Sequence, residues 1–77
     1  MKVYKINLHG LNYEEANKQL IRFIESLWGR EAELEIITGY SQGMRLVVAN
    51  VLNEYNLTCQ VGRSCDNNHG YMVTWLD

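Results

Sequence analysis

The stretch KVYKINLHGLNYEEA, residues 2–16, contains the change of pattern that decides the fold. Over residues 2–8 apolar and polar side chains alternate, which predicts a β-strand with one buried face. Asn12, followed three residues later by Glu15, approximates a capping box, and apolar positions then recur at helical spacing until Gly29. The sequence therefore predicts a strand that turns directly into a helix.

The remaining sequence predicts a second strand, a second helix and two closing strands. ELEIIT (residues 33–38) alternates like the first strand, and MRLVVANVLNEYN (residues 44–56) is long enough to favour a helix despite its β-branched residues. LTCQVGRS (residues 57–64) and YMVTWLD (residues 71–77) are typical of strands, joined by the turn-rich CDNNHG (residues 65–70). The predicted order is βαβαββ.

This order predicts an α/β fold, a two-layer sandwich in which two helices cover one face of a four-stranded mixed sheet. Right-handed crossovers place both helices on the same face, and the alternation within the strands indicates that the other face is open. The residues expected in the core are apolar and recur at strand or helix spacing: Tyr4, Ile6, Leu8, Ala16, Leu20, Phe23, Ile24, Leu27, Leu34, Ile36, Leu46, Val47, Val51, Leu52 and Tyr55, with Trp28 and Trp75.

Length and composition indicate an ordinary small globular domain. The chain has 77 residues, of which 47% are hydrophobic and 21% charged, and we expect residues 1–77 to form one domain. No apolar run approaches the roughly 20 residues that cross a bilayer, and the start of the chain lacks the apolar core of a secretory signal. A cytoplasmic protein that does not contact membranes is therefore expected.

The charge balance argues against a dedicated binder of duplex DNA. The net charge is −2, whereas such binders usually carry a strongly basic face. A local basic patch is still compatible with this composition. It would gather Lys2, Lys5, Arg45 and Arg63 on one side, while the glutamates of residues 31–35 lie elsewhere on a solvated edge.

The cysteines and the last turn do not predict a metal site. Cys59 and Cys65 are too few for a disulfide framework and are expected as reduced thiols, with a bridge across the last hairpin as the alternative. Cys65, Asp66 and His69 lie within one turn and lack the paired spacing of zinc ligands. No metal is predicted, and the sequence identifies no cofactor.

The residues best suited to bind a ligand or react with it lie at the ends of the first two strands. Asn7 and His9 are two residues apart on the first strand and so share a face, and Gly10 allows a sharp turn into the helix. The second strand ends in TGYSQG, residues 38–43. Because ligands of open α/β sheets bind beyond the carboxyl ends of parallel strands, we expect His9 to meet this loop if the two strands are neighbours.

This combination of residues is suited to a phosphate backbone. An imidazole transfers protons near neutral pH, and Gly39 and Gly43 permit close approach of free backbone N–H groups at a helix N-terminus. Tyr40 can stack on a base, and Arg45 can pair with a phosphate. The structural alternatives are that the glycines only turn the chain, that Tyr40 is an ordinary exposed aromatic and that His9 only packs at a strand end.

The segments INLHGLNYEEA, LEIITGYSQGMRLVVANVL and HGYMVTWL together resemble the Smr domain, the small MutS-related domain. Its hallmarks are a strand ending Leu-Asp-Leu-His-Gly and a later loop of the form (His or Thr)-Gly-x-Gly-x-Gly. The resemblance covers essentially the whole chain. It implies a fold like the C-terminal domain of translation initiation factor 3. It also implies nucleic-acid binding, often with endonuclease activity on DNA or RNA, including messenger RNA at ribosomes.

The departures from the family pattern concern catalysis more than binding. Positions that match are His9, Gly10, Gly39 and Gly43. Asn7 stands where the family has aspartate, Ser41 where it has the central loop glycine, and Tyr40 where a lysine or arginine often follows. In the family the Asp-x-His pair is associated with cleavage and the glycine loop with nucleic-acid contact. Asn7 can hydrogen-bond an imidazole, but it cannot serve as a carboxylate base or metal ligand.

The favoured function is therefore binding of RNA or structured DNA, with an endonuclease activity weakened by Asn7. One alternative is a non-catalytic module that docks on a ribosome or a protein. Another is a domain whose open sheet face, bearing Val3 and Ile37, mediates self-association. The oligomeric state is not predicted. The candidate catalytic residues are His9 and Asn7, and the candidate nucleic-acid-binding residues are Lys5, Gly10, Thr38, Gly39, Tyr40, Ser41, Gln42, Gly43 and Arg45.

Overall fold

The computed structural model describes residues 1–63 and 70–77, which form a four-stranded mixed sheet with two helices packed on one face. The elements are β1 (Lys2–Asn7), α1 (Tyr13–Leu27), β2 (Ala32–Ile37), α2 (Gln42–Glu54), β3 (Gln60–Val61) and β4 (Tyr71–Leu76). The sheet order is β1-β2-β4-β3, with β1 parallel to β2 and with β4 antiparallel to both of its neighbours. The predicted α/β sandwich and its βαβαββ order are confirmed.

The predicted strand-to-helix junction is confirmed at α1. The Asn12 side chain caps the helix, because its Oδ1 accepts the backbone N–H of Glu15 at 2.8 Å. Glu14 and Glu15 stand in the first turn, where carboxylates stabilise the positive end of the helix dipole. The chain leaves the helix at Gly29, whose φ of 90° is a left-handed conformation that glycine adopts readily.

The core lies between the two helices and one face of the sheet. Leu8, Leu34 and Ile36 are fully buried on the sheet side, as the alternation predicts. Leu20 and Ile24 are fully buried on α1, at helical spacing. Complete burial of each such side chain stabilises the fold by roughly 1.5–3 kcal/mol.

Helix α2 begins two residues earlier than predicted and buries a different stripe. Ser41 caps it, since its Oγ accepts the backbone N–H of Met44 at 3.1 Å. Met44, Val48, Val51 and Leu52 form the buried stripe at i, i+4, i+7 and i+8. The prediction that Leu46 is in the core was wrong: it is 63% exposed, because two residues along a helix turn a side chain to the opposite side.

Strand β3 is much shorter than the predicted residues 57–64. Asn56 has a φ of 57°, and the Leu57 N–H donates to the Leu52 carbonyl at 2.9 Å, so this segment ends α2 instead of starting a strand. The alternative disulfide to Cys65, the excluded ligand set of Cys65, Asp66 and His69, and most of the predicted turn lie outside the described residues.

Both tryptophans were predicted to lie in the core, and this prediction was wrong. Trp28 directly follows α1 in an extended conformation, which turns it out of the buried helical stripe and leaves it 54% exposed. Trp75 is half-buried, but it alternates with the core residue Leu76 and therefore lies on the sheet face away from the helices.

The sheet face away from the helices, predicted to be open, is open only in part, because Val73 of β4 pairs with Glu35 on that face and is fully buried. This face carries ion pairs, so the basic patch that the composition allowed is not separated from the acidic residues. Arg63 pairs with Glu33 and also with Glu35, at 2.5 Å, while Lys5 Nζ lies 3.6 Å from Glu35. Trp75 Nε1 donates to Glu33 at 3.0 Å. Glu33 and Glu35 belong to the central strand β2, where alternation places them on the same face as Lys5 of β1, and not on a solvated edge.

Candidate nucleic-acid interface

The carboxyl ends of β1 and β2 meet at one edge of the sheet, as predicted. The strands are parallel neighbours in which Asn7 pairs with Ile37, and the Leu8 N–H donates to the Ile37 carbonyl at 2.8 Å. His9 and Gly39 each follow the strand end by two residues. The fold therefore brings the two sequence motifs together.

His9 packs directly on Gly39. A Cβ atom at position 39 would collide with His9 Nδ1 and would lie 3.0 Å from its Cε1. Gly39 also has a φ of 68°, which disfavours any residue with a side chain. The missing side chain of Gly39 thus makes room for the imidazole, while His9 itself stays exposed to solvent.

The first two residues of the loop are held against β4. The N–H groups of Thr38 and Gly39 both donate to the Gly70 carbonyl, at 2.9 and 2.8 Å. Thr38 is fully buried, and its hydroxyl donates to the Gly39 carbonyl at 2.8 Å. The expectation that Gly39 offers a free N–H to a phosphate was therefore wrong, because that N–H is already used to anchor the loop.

The N–H groups suited to an anion lie one turn later, at the start of α2. Gln42 and Gly43 occupy the first turn, where backbone N–H groups have no acceptor within the helix. No acidic residue stands in that turn, which lies within the described residues, so the positive end of the helix dipole is not offset there. The Ser41 hydroxyl accepts the N–H of Met44, the residue that follows Gln42 and Gly43.

Gly43 also lets α1 approach this helix end. A Cβ atom at position 43 would collide with the hydroxyl of Tyr13, the first residue of α1. Tyr13 is more than half exposed and lies beside the first turn of α2. Sequence reasoning missed Tyr13, because nothing in its local pattern reveals a contact that depends on how two helices pack.

Tyr40 and Arg45 form a cation–π pair at the same helix start. The guanidinium carbon of Arg45 lies 5.7 Å from the centroid of the Tyr40 ring, within the range of this interaction. Tyr40 is 67% exposed. An aromatic ring and an arginine thus stand together beside the first-turn N–H groups.

The family model for the Smr domain matches residues 6–75, a span that contains both strand ends and the loop between β2 and α2. The chain belongs to the Smr domain family. No curated protein and no solved structure shows significant similarity to this chain.

Asn7 shapes the backbone of this Smr domain at the histidine. Its Oδ1 accepts the N–H of His9 at 2.9 Å, which is a local turn of the type that asparagine and aspartate both favour. The amide therefore bonds to the backbone of His9 and not to its imidazole. Gly10 follows with a φ of 89°, and a Cβ atom there would meet nothing within 4 Å, so Gly10 serves the turn and not a contact.

On the sheet face of the Smr domain that lies away from the helices, the charges largely cancel one another. The Arg63 guanidinium holds the pKa of Glu33 below its ordinary value, and the bond from Trp75 adds to this, while burial opposes it. The same two glutamates raise the pKa of Arg63. Lys5 lies on the same face, two residues before β1 ends, and its exposed side chain makes a long ion pair with Glu35, at 3.6 Å, of a kind that is weak and easily exchanged.

Two further findings concern metal ligands and membrane-spanning helices. Within residues 1–63 and 70–77, no three histidine, cysteine or carboxylate side chains are grouped so as to hold a metal ion. In the same described ranges, neither helix combines the length and the apolar character that crossing a membrane requires.

Proposed function

We propose that this Smr domain binds nucleic acid, RNA or structured DNA, at the edge where β1 and β2 end. The observation that carries the proposal is the exposed imidazole of His9 seated on Gly39, directly beside the N-terminus of α2. A flexible polyanion with exposed bases is the ligand that a histidine, an aromatic ring and a helix N-terminus would jointly recognise.

Each group at this edge has a distinct role in the proposal. The first-turn N–H groups of Gln42 and Gly43 bind a phosphate, and Arg45 neutralises it or its neighbour. Tyr40 offers its exposed ring to a base, and the guanidinium of Arg45 holds that ring in place. Lys5 contributes a further charge when it exchanges its contact with Glu35 for a phosphate.

Cleavage is the second candidate function, and it depends on His9. A solvent-exposed imidazole beside a bound phosphate can accept or donate the proton that phosphodiester cleavage requires. Asn7 cannot help as a base, because its carboxamide carries no charge and already bonds the His9 N–H. We therefore propose that the domain binds nucleic acid but cleaves it slowly, and that a variant with aspartate at position 7 cleaves it faster.

The test is to incubate the purified protein with labelled single-stranded RNA, duplex DNA and branched DNA, and to record gel shift and cleavage together. The parent is compared with His9→Ala and Asn7→Asp. Asn17→Asp serves as the matched control, because it adds the same charge at an exposed site on α1.

Three outcomes separate the candidates. Cleavage that is lost in His9→Ala and increased in Asn7→Asp, but not in Asn17→Asp, supports a nuclease weakened at position 7. Binding without cleavage supports a non-catalytic module. A parent protein that neither binds nor cleaves any of the three nucleic acids contradicts the proposal and points to a protein partner.

A further inference from the structure

The end of the sheet opposite His9 contains two adjoining clefts that share Trp28. One has a volume of about 330 Å³ and is lined by Trp28, Trp75 and Asp77 among others. The second, of about 350 Å³, is lined by Glu25, Trp28 and Tyr55. We call these four side chains, Glu25, Trp28, Tyr55 and Trp75, the aromatic pole.

The aromatic pole is separated from the nucleic-acid edge by the length of the sheet. Trp75 pairs with Glu33 near the start of β2, whereas Gly39 follows the end of that strand. Six residues of strand span about 17–20 Å. The two sites therefore lie at opposite ends of the sheet and share no residue.

The polar atoms of Tyr55 and Trp75 are bonded to carboxylates, while the ring of Trp28 remains exposed. Tyr55 donates its hydroxyl to Glu25 at 2.8 Å, and Trp75 Nε1 donates to Glu33 at 3.0 Å. The ring centroids of Trp28 and Tyr55 lie 5.4 Å apart at an angle of 48°, and Trp28 is more than half exposed. The pole thus offers aromatic faces with carboxylates at their edges.

Both helices end at this pole, which makes it electronegative. Trp28 directly follows α1, Tyr55 directly follows α2, and helix C-termini carry a partial negative charge. Neither helix has a basic residue in its last turn, and both lie entirely within the described residues. The bond to Glu25 raises the pKa of Tyr55, burial adds to the shift, and the charges of Glu25 and Glu54 raise it further.

The charged side chains that line the two clefts are acidic. Asp77 lines the larger cleft, and Glu25 lines the smaller one. Arg30 follows Trp28 by two residues in the sequence, but it is exposed and lines neither cleft. Carboxylates in the lining of both clefts favour a cation over an anion as the ligand.

We propose that the aromatic pole binds an arginine or lysine side chain from a basic segment of a protein partner. A guanidinium or ammonium group would lie against the ring of Trp28 or Tyr55 and would pair with the carboxylate of Glu25. This charge complementarity selects a basic peptide as the occupant. The proposal does not depend on the nucleic-acid site, because the two sites share no residue.

The test uses NMR of the intact chain and a capped peptide of alternating glycine and arginine as the probe. The control peptide carries citrulline in place of arginine, which keeps the size and the planar shape of the group but removes the charge and replaces one amino group with a carbonyl. The two tryptophans, Trp28 and Trp75, give two indole N–H signals that report on the pole directly. We expect the arginine peptide to shift both indole signals and the citrulline peptide to shift neither at equal concentration.

Variants then assign the effect to the pole. Trp28→Ala and Glu25→Gln should each weaken peptide binding by about threefold to tenfold, and Trp28→Phe should retain part of the affinity because it retains a ring. Lys18→Ala, which changes an exposed residue on α1, should have no effect. Far-UV circular dichroism checks that each variant is folded. If Trp28→Ala does not fold, Glu25→Gln still tests the proposal.

Several results would overturn the proposal. They are equal shifts with the citrulline peptide, shifts centred on residues near His9, unchanged affinity in both Trp28→Ala and Glu25→Gln, or no shift with either peptide. Indole shifts that depend on protein concentration alone would assign the pole to a second copy of this chain. Indole shifts on addition of RNA would assign it to nucleic acid.

Discussion

Replacement of Gly39 by alanine should displace His9 without unfolding the domain. Position 39 has a φ of 68°, so alanine there is strained by about 1–2 kcal/mol. The new Cβ would also collide with His9 Nδ1, and turning the imidazole off its rotamer costs about 0.5–1.5 kcal/mol more. A domain of this size is stable by about 4–12 kcal/mol, so we expect Gly39→Ala to remain folded.

Gly29→Ala is the matched control for the backbone strain. Gly29 has a φ of 90°, but a Cβ atom there would meet nothing within 4 Å, and it lies at the other end of the sheet. Both substitutions should therefore lower the free energy of unfolding by about 1–2 kcal/mol through strain. Only Gly39→Ala should carry the additional cost from His9 and lose affinity for RNA.

Urea denaturation in a double-mutant cycle isolates the contact. We expect His9→Ala to reduce the cost of Gly39→Ala by about 0.5–1.5 kcal/mol and to leave the cost of Gly29→Ala unchanged. A cost of Gly39→Ala that is the same with and without His9 would refute the contact. A Gly39→Ala protein that binds RNA as well as the parent would refute the role of this contact in binding.

Three further predictions concern charge and packing. Because the pKa of Glu33 is lowered in the folded state, its stabilising contribution is complete above the ordinary pKa of 4.5 and is lost as the pH falls through the lower folded value. Arg63→Met should flatten this part of the curve of unfolding free energy against pH, and an unchanged curve would contradict the ion pair. Arg45→Ala should reduce the slope of log affinity for single-stranded RNA against log salt by about 0.7, as measured by fluorescence anisotropy, and an unchanged slope would remove Arg45 from the interface. Leu46→Ala should change the free energy of unfolding by less than about 0.5 kcal/mol and Leu52→Ala should lower it by about 2–5 kcal/mol, so similar losses in urea denaturation would contradict the assigned face of α2.

The parts of the fold that sequence predicted are those governed by local pattern. Alternation in residues 2–8 identified β1 and its buried face, and the Asn12 cap fixed the start of α1. The junction of His9 with the loop after β2 also followed, because parallel neighbouring strands end at the same edge.

The errors arose where tertiary contacts override local pattern. Sequence placed Leu46 in the core and left out Met44 and Val48, because a continuous apolar run does not show which side of the helix is buried, whereas the stripe from Met44 to Leu52 leaves Leu46 exposed. It placed Glu33 and Glu35 at a solvated edge, because nothing in a short acidic run reveals that the strand is central.

The candidate site was predicted in position but not in its internal bonding. Sequence assigned Gly39 to close approach of a phosphate, whereas its missing side chain receives His9 and its N–H bonds Gly70. It assigned Asn7 to the imidazole, whereas Asn7 bonds the His9 backbone. The contacts of Gly39 with His9 and Gly70 join different loops, and residue type and spacing do not specify them.

The central claim is that nucleic acid binds at the edge formed by His9, Gly39 and the start of α2. The most direct measurement is a titration of the isotope-labelled protein with single-stranded RNA, followed by amide and side-chain NMR shifts. We predict that the largest shifts fall on His9 and residues 39–45, and that the indole signals of Trp28 and Trp75 do not move. Shifts centred on the far end of the sheet, or no shifts at low salt, would contradict the claim.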